Sequence, residues 1–234
     1  MIKAVIFDMD GVIINSEPMH QKAYRMMFDE FNLSVSEELY ASFTGMATLP
    51  ICQKLCEVFA LDATPEILMA SKRKYFKQFF ENSEELSLID GVLELIQHYH
   101  QSNLVLVLAS SASMANINLI FEKFDLNRYF KAKISGADLK ASKPHPEIFE
   151  KAVVLSGVSK TECFVIEDAT NGILAAKAAG LFCVAYDGGH SHGQEYSQAD
   201  RIVTDFESLR IKNLKSFNQL RFDSGMDPSA TLKP

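Results

Sequence analysis

The sequence predicts an α/β protein: a parallel sheet layered with helices, with a helical region inserted near its start. Three observations carry this reading. Short, nearly unbroken apolar runs occur at 2–7, 104–109, 164–166 and 182–185, the pattern of strands buried on both faces. Helical periodicities separate the later runs, which implies right-handed βαβ units. Residues 16–86 lack strand patterning and read as a small helical bundle. The organisation expected is therefore a core from 1–15 and 87–212, an insertion from 16–86 and a loosely held tail from 213–234.

The first strand runs through Ile2, Val5, Ile6 and Phe7 into Asp8, Asp10 and Gly11. In the insertion, His20, Ala23, Tyr24, Met27, Phe28 and Phe31 recur at helical spacing, and Ile51, Leu55, Val58 and Phe59 form a second stripe. Thr64-Pro65-Glu66 reads as the start of another helix, with threonine as cap and proline in the first turn. Past Gly91 comes a helix, then the second strand, ending at Ser110 and Ser111. A helix over 114–124 and a short third strand over 132–135 follow. A helix then begins at Pro146 and ends before Gly157. The fourth strand ends in Glu167-Asp168, a helix spans 173–179, and strands at 182–185 and 201–203 complete the sheet.

Composition narrows the function. The chain has 234 residues, 47% of them hydrophobic, and a formal net charge of −7. It carries no long basic run, so nucleic acid is not the expected partner. Its opening apolar run is short and ends in aspartates, unlike a signal peptide, and no apolar run has the length of a membrane span. Cys52, Cys56, Cys163 and Cys183 form no C-x-x-C pair. They read as small core residues of a cytoplasmic, reducing environment. His190 and His192 lie between glycines and read as a surface loop rather than a metal site.

Four segments place chemistry-bearing side chains at one edge of a parallel sheet, where ligands of open α/β sheets collect. They are Asp8 and Asp10, Ser110 and Ser111, Lys143 before Pro144, and Glu167 with Asp168. Each alone has a bland reading as a solvated turn, a helix cap or a loop charge. Together they supply several carboxylates, one cation and hydroxyl donors. Clustered carboxylates repel unless a cation joins them, and a few oxygen ligands completed by water suit Mg²⁺. Such a site suits phosphoryl transfer. One carboxylate attacks as nucleophile and a second, two residues on, handles protons.

These four segments, in this order, resemble the motifs of the haloacid dehalogenase superfamily across about 1–210. Asn15-Ser16-Glu17-Pro18-Met19-His20, Ser142-Lys143-Pro144-His145-Pro146 and Glu167-Asp168-Ala169-Thr170-Asn171-Gly172-Ile173 are similar to its β-phosphoglucomutase-like branch. The resemblance implies a Rossmann-like core with a helical cap inserted after the first strand. It makes Asp8 the nucleophile and a Mg²⁺ ligand, and Asp10 the acid/base, giving the metal its backbone carbonyl. Asp168 is a further ligand and Glu167 supports the metal. Ser110 and Lys143 hold the phosphoryl group, with backbone amides near Met9, Asp10 and Ser111 completing the cradle. His20 stands at the hinge, where it reaches the substrate or Asp10, and Gly45 lies in the cap loop toward the substrate. Dehalogenases proper lack the second aspartate and phosphonatases carry alanine there, so Asp10 separates this chain from both.

The branch holds sugar-phosphate phosphatases and phosphohexomutases. The mutase pattern has an arginine in the loop after the glycine matching Gly45, where this chain has Thr48. It also has a Ser-Lys-Asn run where an ungapped alignment places Ala112-Ser113-Met114. Losing those anchors of a distal phosphate favours a phosphatase, unless Lys72, Arg73 or Lys74 replaces them. The expectation is a monomeric, Mg²⁺-dependent phosphatase of a small phosphorylated metabolite, with a mutase as the alternative. A non-catalytic binding protein would be expected to have lost Asp8, Asp10 or Lys143.

Overall fold

The structure, a computed structural model, describes residues 1–43, 46–82, 86–189 and 193–211. Gly45, His190, His192 and the tail expected over 213–234 lie outside the described residues.

Six strands form one sheet: β1 (Ala4–Phe7), β2 (Val105–Ser110), β3 (Ala132–Ser135), β4 (Cys163–Glu167), β5 (Phe182–Tyr186) and β6 (Arg201–Val203). Every neighbouring pair is parallel, in the order β3-β2-β1-β4-β5-β6. Parallel strands need covered faces, and β1 shows why its sequence has no polar alternation. All four of its residues are buried. Val5 and Phe7 enter one apolar layer while Ala4 and Ile6 enter the other.

Four helices cluster together between β1 and the rest of the core: α1 (Glu17–Glu30), α2 (Glu37–Ala41), α3 (Thr48–Phe59) and α4 (Pro65–Asn82). Their stripes meet in a separate cluster containing Tyr24, Met27, Phe28, Phe43, Ile51, Leu55 and Leu68. Helices α5 (Val92–Gln101) and α6 (Met114–Lys123) then cover one face of the sheet through Leu95, Ile96, Ile117 and Phe121. Helices α7 (Glu147–Ser156) and α8 (Thr170–Ala178) cover the other through Phe149, Ala152, Ile173 and Ala176.

Two details depart from the sequence reading. Helix α2 has no apolar stripe because none of its residues is buried. It is held at its start by the Ser36 hydroxyl, which accepts the Leu39 N–H at 3.2 Å. Helix α8 starts at Thr170, ahead of the expected 173, because its first turn is polar. All four cysteines are free thiols, and Cys52, Cys163 and Cys183 are buried. Among the described residues no helix is long and apolar enough to cross a membrane.

The strand order turns at β1. From it the chain builds outward first through β2 and β3, then on the other side through β4, β5 and β6. Such a reversal opens a crevice at the carboxyl ends of the flanking strands, and β1, β2 and β4 all point their ends into it.

Candidate active site

Asp8 follows the last residue of β1, and its N–H still donates to the Ile166 carbonyl of β4 at 3.0 Å. Met9 then turns inward and is fully buried in the core, so its place at the site is a backbone one. Its carbonyl accepts the N–H groups of Val12, Ile13 and Ile14 at 3.3, 2.8 and 3.0 Å. This tight turn returns Asp10 to the cavity that Asp8 faces. Gly11 closes the turn with φ +83°, and a Cβ there would collide with the Asp168 carboxylate. The glycine after the aspartate pair is thus required twice, by backbone angle and by space.

Lys143 lies beneath this turn, only 2% exposed. Its Nζ donates to Asp8 Oδ1 at 2.5 Å, Glu167 Oε1 at 2.7 Å and the Ala109 carbonyl at 3.0 Å, which uses all three of its protons. The other Glu167 oxygen, Oε2, accepts the N–H groups of Asp168 and Ala169 at 2.9 and 3.0 Å. Gly172 on α8 leaves room for that carboxylate, since a Cβ there would overlap it. Ser110 is fully buried, and its hydroxyl accepts the Ala112 N–H at 3.0 Å, while Ser111 lines the cavity.

Asp8, Glu167 and Asp168 are all buried, and they offer carboxylate oxygens within 4.8 Å of one another. One ammonium cannot neutralise this group. Burial pushes Asp8 up to about 8; Lys143 opposes the rise, and Glu167 and Asp10 add to it. Burial works against the Lys143 charge, but Asp8 and Glu167 outweigh it and raise the lysine. The donor set is all oxygen, anionic and short of positive charge, which fits a hard divalent cation.

Asp10 stands in different company. Its Oδ1 accepts a bond from the Ser16 hydroxyl and lies 3.4 Å from His20 Nε2. Burial alone would raise it, yet the His20 contact, the Ser16 bond and the Lys72 charge hold it below the usual carboxylate range. The other ring nitrogen of His20, Nδ1, is 2.7 Å from Lys72 Nζ. The His20 ring stacks on Phe76 at 4.6 Å, and Lys72 lies 4.8 and 4.9 Å from the ring centres of Phe76 and Tyr24. The insertion thereby reaches Asp10 through a chain of two side chains.

Of the residues expected at the site, Asp8, Asp10, Ser111, His20, Glu167 and Asp168 line one cavity, with Lys143 just under it. Ser110 and Met9 serve it through its frame. Tyr40 and Asn116 also line the cavity, and the sequence reading did not include them. Asn116 sits on the α6 turn that opens just after β2, a position the strand-end argument could have reached.

Fold and site together define a class of enzyme, a parallel α/β core that carries an aspartate pair just past its first strand. The chain belongs to the haloacid dehalogenase-like hydrolases, whose family model matches residues 5–186. It is 32% identical over 181 residues to fructose-1-phosphate phosphatase YqaB of Escherichia coli, a match covering 77% of this chain and 94% of that protein. It is 28% identical over 218 residues to β-phosphoglucomutase of Bacillus subtilis, covering 91% and 94% respectively. The crystal structure of CbbY from Rhodobacter sphaeroides in complex with phosphate superposes with a TM-score of 0.81, covering 92% of this chain and 100% of that one. That pair shares 23% identity, so the likeness is one of fold.

Proposed function

We propose that this enzyme is a Mg²⁺-dependent phosphatase of a small phosphorylated metabolite, of the sugar-phosphate class, acting through a phosphorylated Asp8. The observation that carries the reading is the pairing of a buried, lysine-bound Asp8 with an Asp10 held apart by His20 and Ser16. Mg²⁺ bound by Asp8, Asp168 and the Asp10 carbonyl, with Glu167 behind them, would offset negative charge on the phosphoryl oxygens and keep Asp8 ionised.

Asp8 attacks phosphorus, and the bond from phosphorus to the metabolite oxygen breaks. Lys143 holds charge on the phosphoryl group, and the amides near Met9, Asp10 and Ser111 orient it. The leaving oxygen takes a proton from Asp10. A bound phosphate raises the pKa of Asp10 by like-charge repulsion and so helps it carry that proton. Water then attacks phosphorus and Asp10 takes its proton. The bond to Asp8 breaks, releasing phosphate.

Helices α1–α4 are read as the cap that shuts the crevice, and the enzyme as a cytoplasmic monomer. The four free thiols support a reducing compartment. The mutase reading draws on the Bacillus subtilis relative. Against it, Thr48 lines the cavity where the mutase pattern expects arginine. Release of p-nitrophenol from p-nitrophenyl phosphate with Mg²⁺, abolished by EDTA and by Asp8→Asn, tests the phosphatase. Full activity in Asp8→Asn overturns the nucleophile. Conversion of β-glucose 1-phosphate to glucose 6-phosphate without free phosphate, given a trace of the 1,6-bisphosphate, would favour the mutase instead.

A further inference from the structure

Helix α8 begins two residues after Asp168, so whatever fixes its first turn also fixes the Asp168 backbone. Three successive N–H groups open that turn, and Ala169 at its cap has no side chain to accept one. Glu167 Oε2 takes the first two, from Asp168 and Ala169, at 2.9 and 3.0 Å. The third, from Thr170, is accepted at 2.9 Å by Gln194 Oε1, 24 residues on in the segment after β5. The bond is answered, since Thr170 Oγ1 accepts the Glu195 N–H at 2.8 Å. The exchange has the reciprocity of a capping box, built between two segments instead of within one helix. The segment that carries Gln194 is itself pinned. Tyr196 packs against the apolar layer that contains Ile173 and Ala176 of α8. Asp200 donates its N–H to the Cys183 carbonyl at 2.9 Å and accepts the Cys183 N–H at 2.7 Å.

We propose that Gln194, through its exchange with Thr170, is a positioning residue for the divalent cation: it fixes the turn that aims the Asp168 carboxylate, and so favours an ion with strict geometry. The proposal rests on the Mg²⁺ reading above and deepens it. The two side chains that hold the turn are not equivalent. Glu167 belongs to the acidic cluster, and its other oxygen is bound to Lys143, so its hold on the turn varies with the charge placed there. Gln194 is neutral and half-buried, and it is not among the residues that line the cavity. Its hold is the same whether the cluster is charged, protonated or bound to a cation. Mg²⁺ demands near-octahedral oxygens at short distances, whereas Ca²⁺ accepts longer and less regular ones. A turn free to rock would carry Asp168 out of register, a fault that the smaller ion tolerates less.

The test measures binding, so that it does not depend on turnover. Calorimetry would titrate the full-length, chelator-treated protein with Mg²⁺ alone and with Ca²⁺ alone. Gln194→Met keeps the length of the side chain and removes the acceptor. It is expected to weaken Mg²⁺ about tenfold, the low end of what losing a ligand's supporting partner costs. Ca²⁺, with its looser geometry, is expected to weaken about threefold or less. Thr170→Val removes the returning acceptor and should act in the same direction, while Thr170→Ser keeps it and should bind both ions as wild type does. The urea midpoint separates positioning from stability. A merely structural role would lower the midpoint and leave the ratio of the two affinities where it was. Unchanged Mg²⁺ affinity in Gln194→Met, or equal weakening of both ions, overturns the proposal and leaves the Mg²⁺ reading standing. A wild-type protein that binds no Mg²⁺ would overturn both together.

Discussion

At Lys143 one ammonium faces two buried carboxylates, and the surplus negative charge defines what the site needs. Removing the lysine leaves Asp8 and Glu167 buried together without a cation. Lys143→Met is therefore expected to cost about 3 kcal/mol of stability in chelator, read by urea unfolding, because breaking a buried pair strands a charge. The same imbalance sets a pH dependence. Asp8 in the folded, metal-free protein titrates near 8, against about 4 when unfolded. Between those values the folded state holds the extra proton, so stability should fall as pH rises from about 4 to about 8. Saturating Mg²⁺ should flatten that slope, since the cation replaces the proton. Stability that climbs over this window in EDTA would contradict the assignment. At this scale the aspartates and Lys143 are legible in the sequence because short motifs carry them. Lys72 is only one of three adjacent cations there, since its partner His20 lies on a different helix and only tertiary packing pairs them.

Among the elements, α8 carries the sharpest consequence of close packing. A glycine within a helix ordinarily gives way to alanine with a gain of up to about 1 kcal/mol. Gly172 should do the opposite, because an alanine Cβ would meet the Glu167 carboxylate. Gly172→Ala is expected to lower stability by about 1 kcal/mol or more and to weaken Mg²⁺-dependent activity. Denaturant midpoint and phosphate release would check the two effects separately. The residue that starts α1, Ser16, is tied to the turn after β1 by its hydroxyl on Asp10. Ser16→Ala should therefore raise the Asp10 pKa and shift the acidic limb of the pH–rate profile upward. Strands and long helices were readable from periodicity. The short α2 was not, because a helix that buries nothing leaves no apolar signature.

For the whole molecule, ligand linkage gives the broadest check. A cation that binds the folded acidic cluster must raise the melting temperature with the logarithm of its free concentration once that exceeds the dissociation constant. Mg²⁺ should do so in wild type and far less in Asp168→Asn. The parallel sheet and its helical insertion follow from unbroken apolar runs and from one long region without them. The meeting of Asp8, Lys143 and Glu167 followed because parallel topology delivers strand ends to one edge. Beyond His20, the way the insertion lines the cavity did not follow, since side chains on four helices converge there only through their mutual packing. The position of β1 in the middle of the sheet also has a consequence for how the protein is made. Ala4 pairs with Val105 on one side and with Cys163 on the other. The earliest strand of this sheet to be synthesised therefore waits for a partner from far along the chain. Glu167 and Asp168 arrive with that same late partner. No nascent chain shorter than this holds all the residues proposed for the site, so on the mechanism proposed above the chain must reach β4 before it can react.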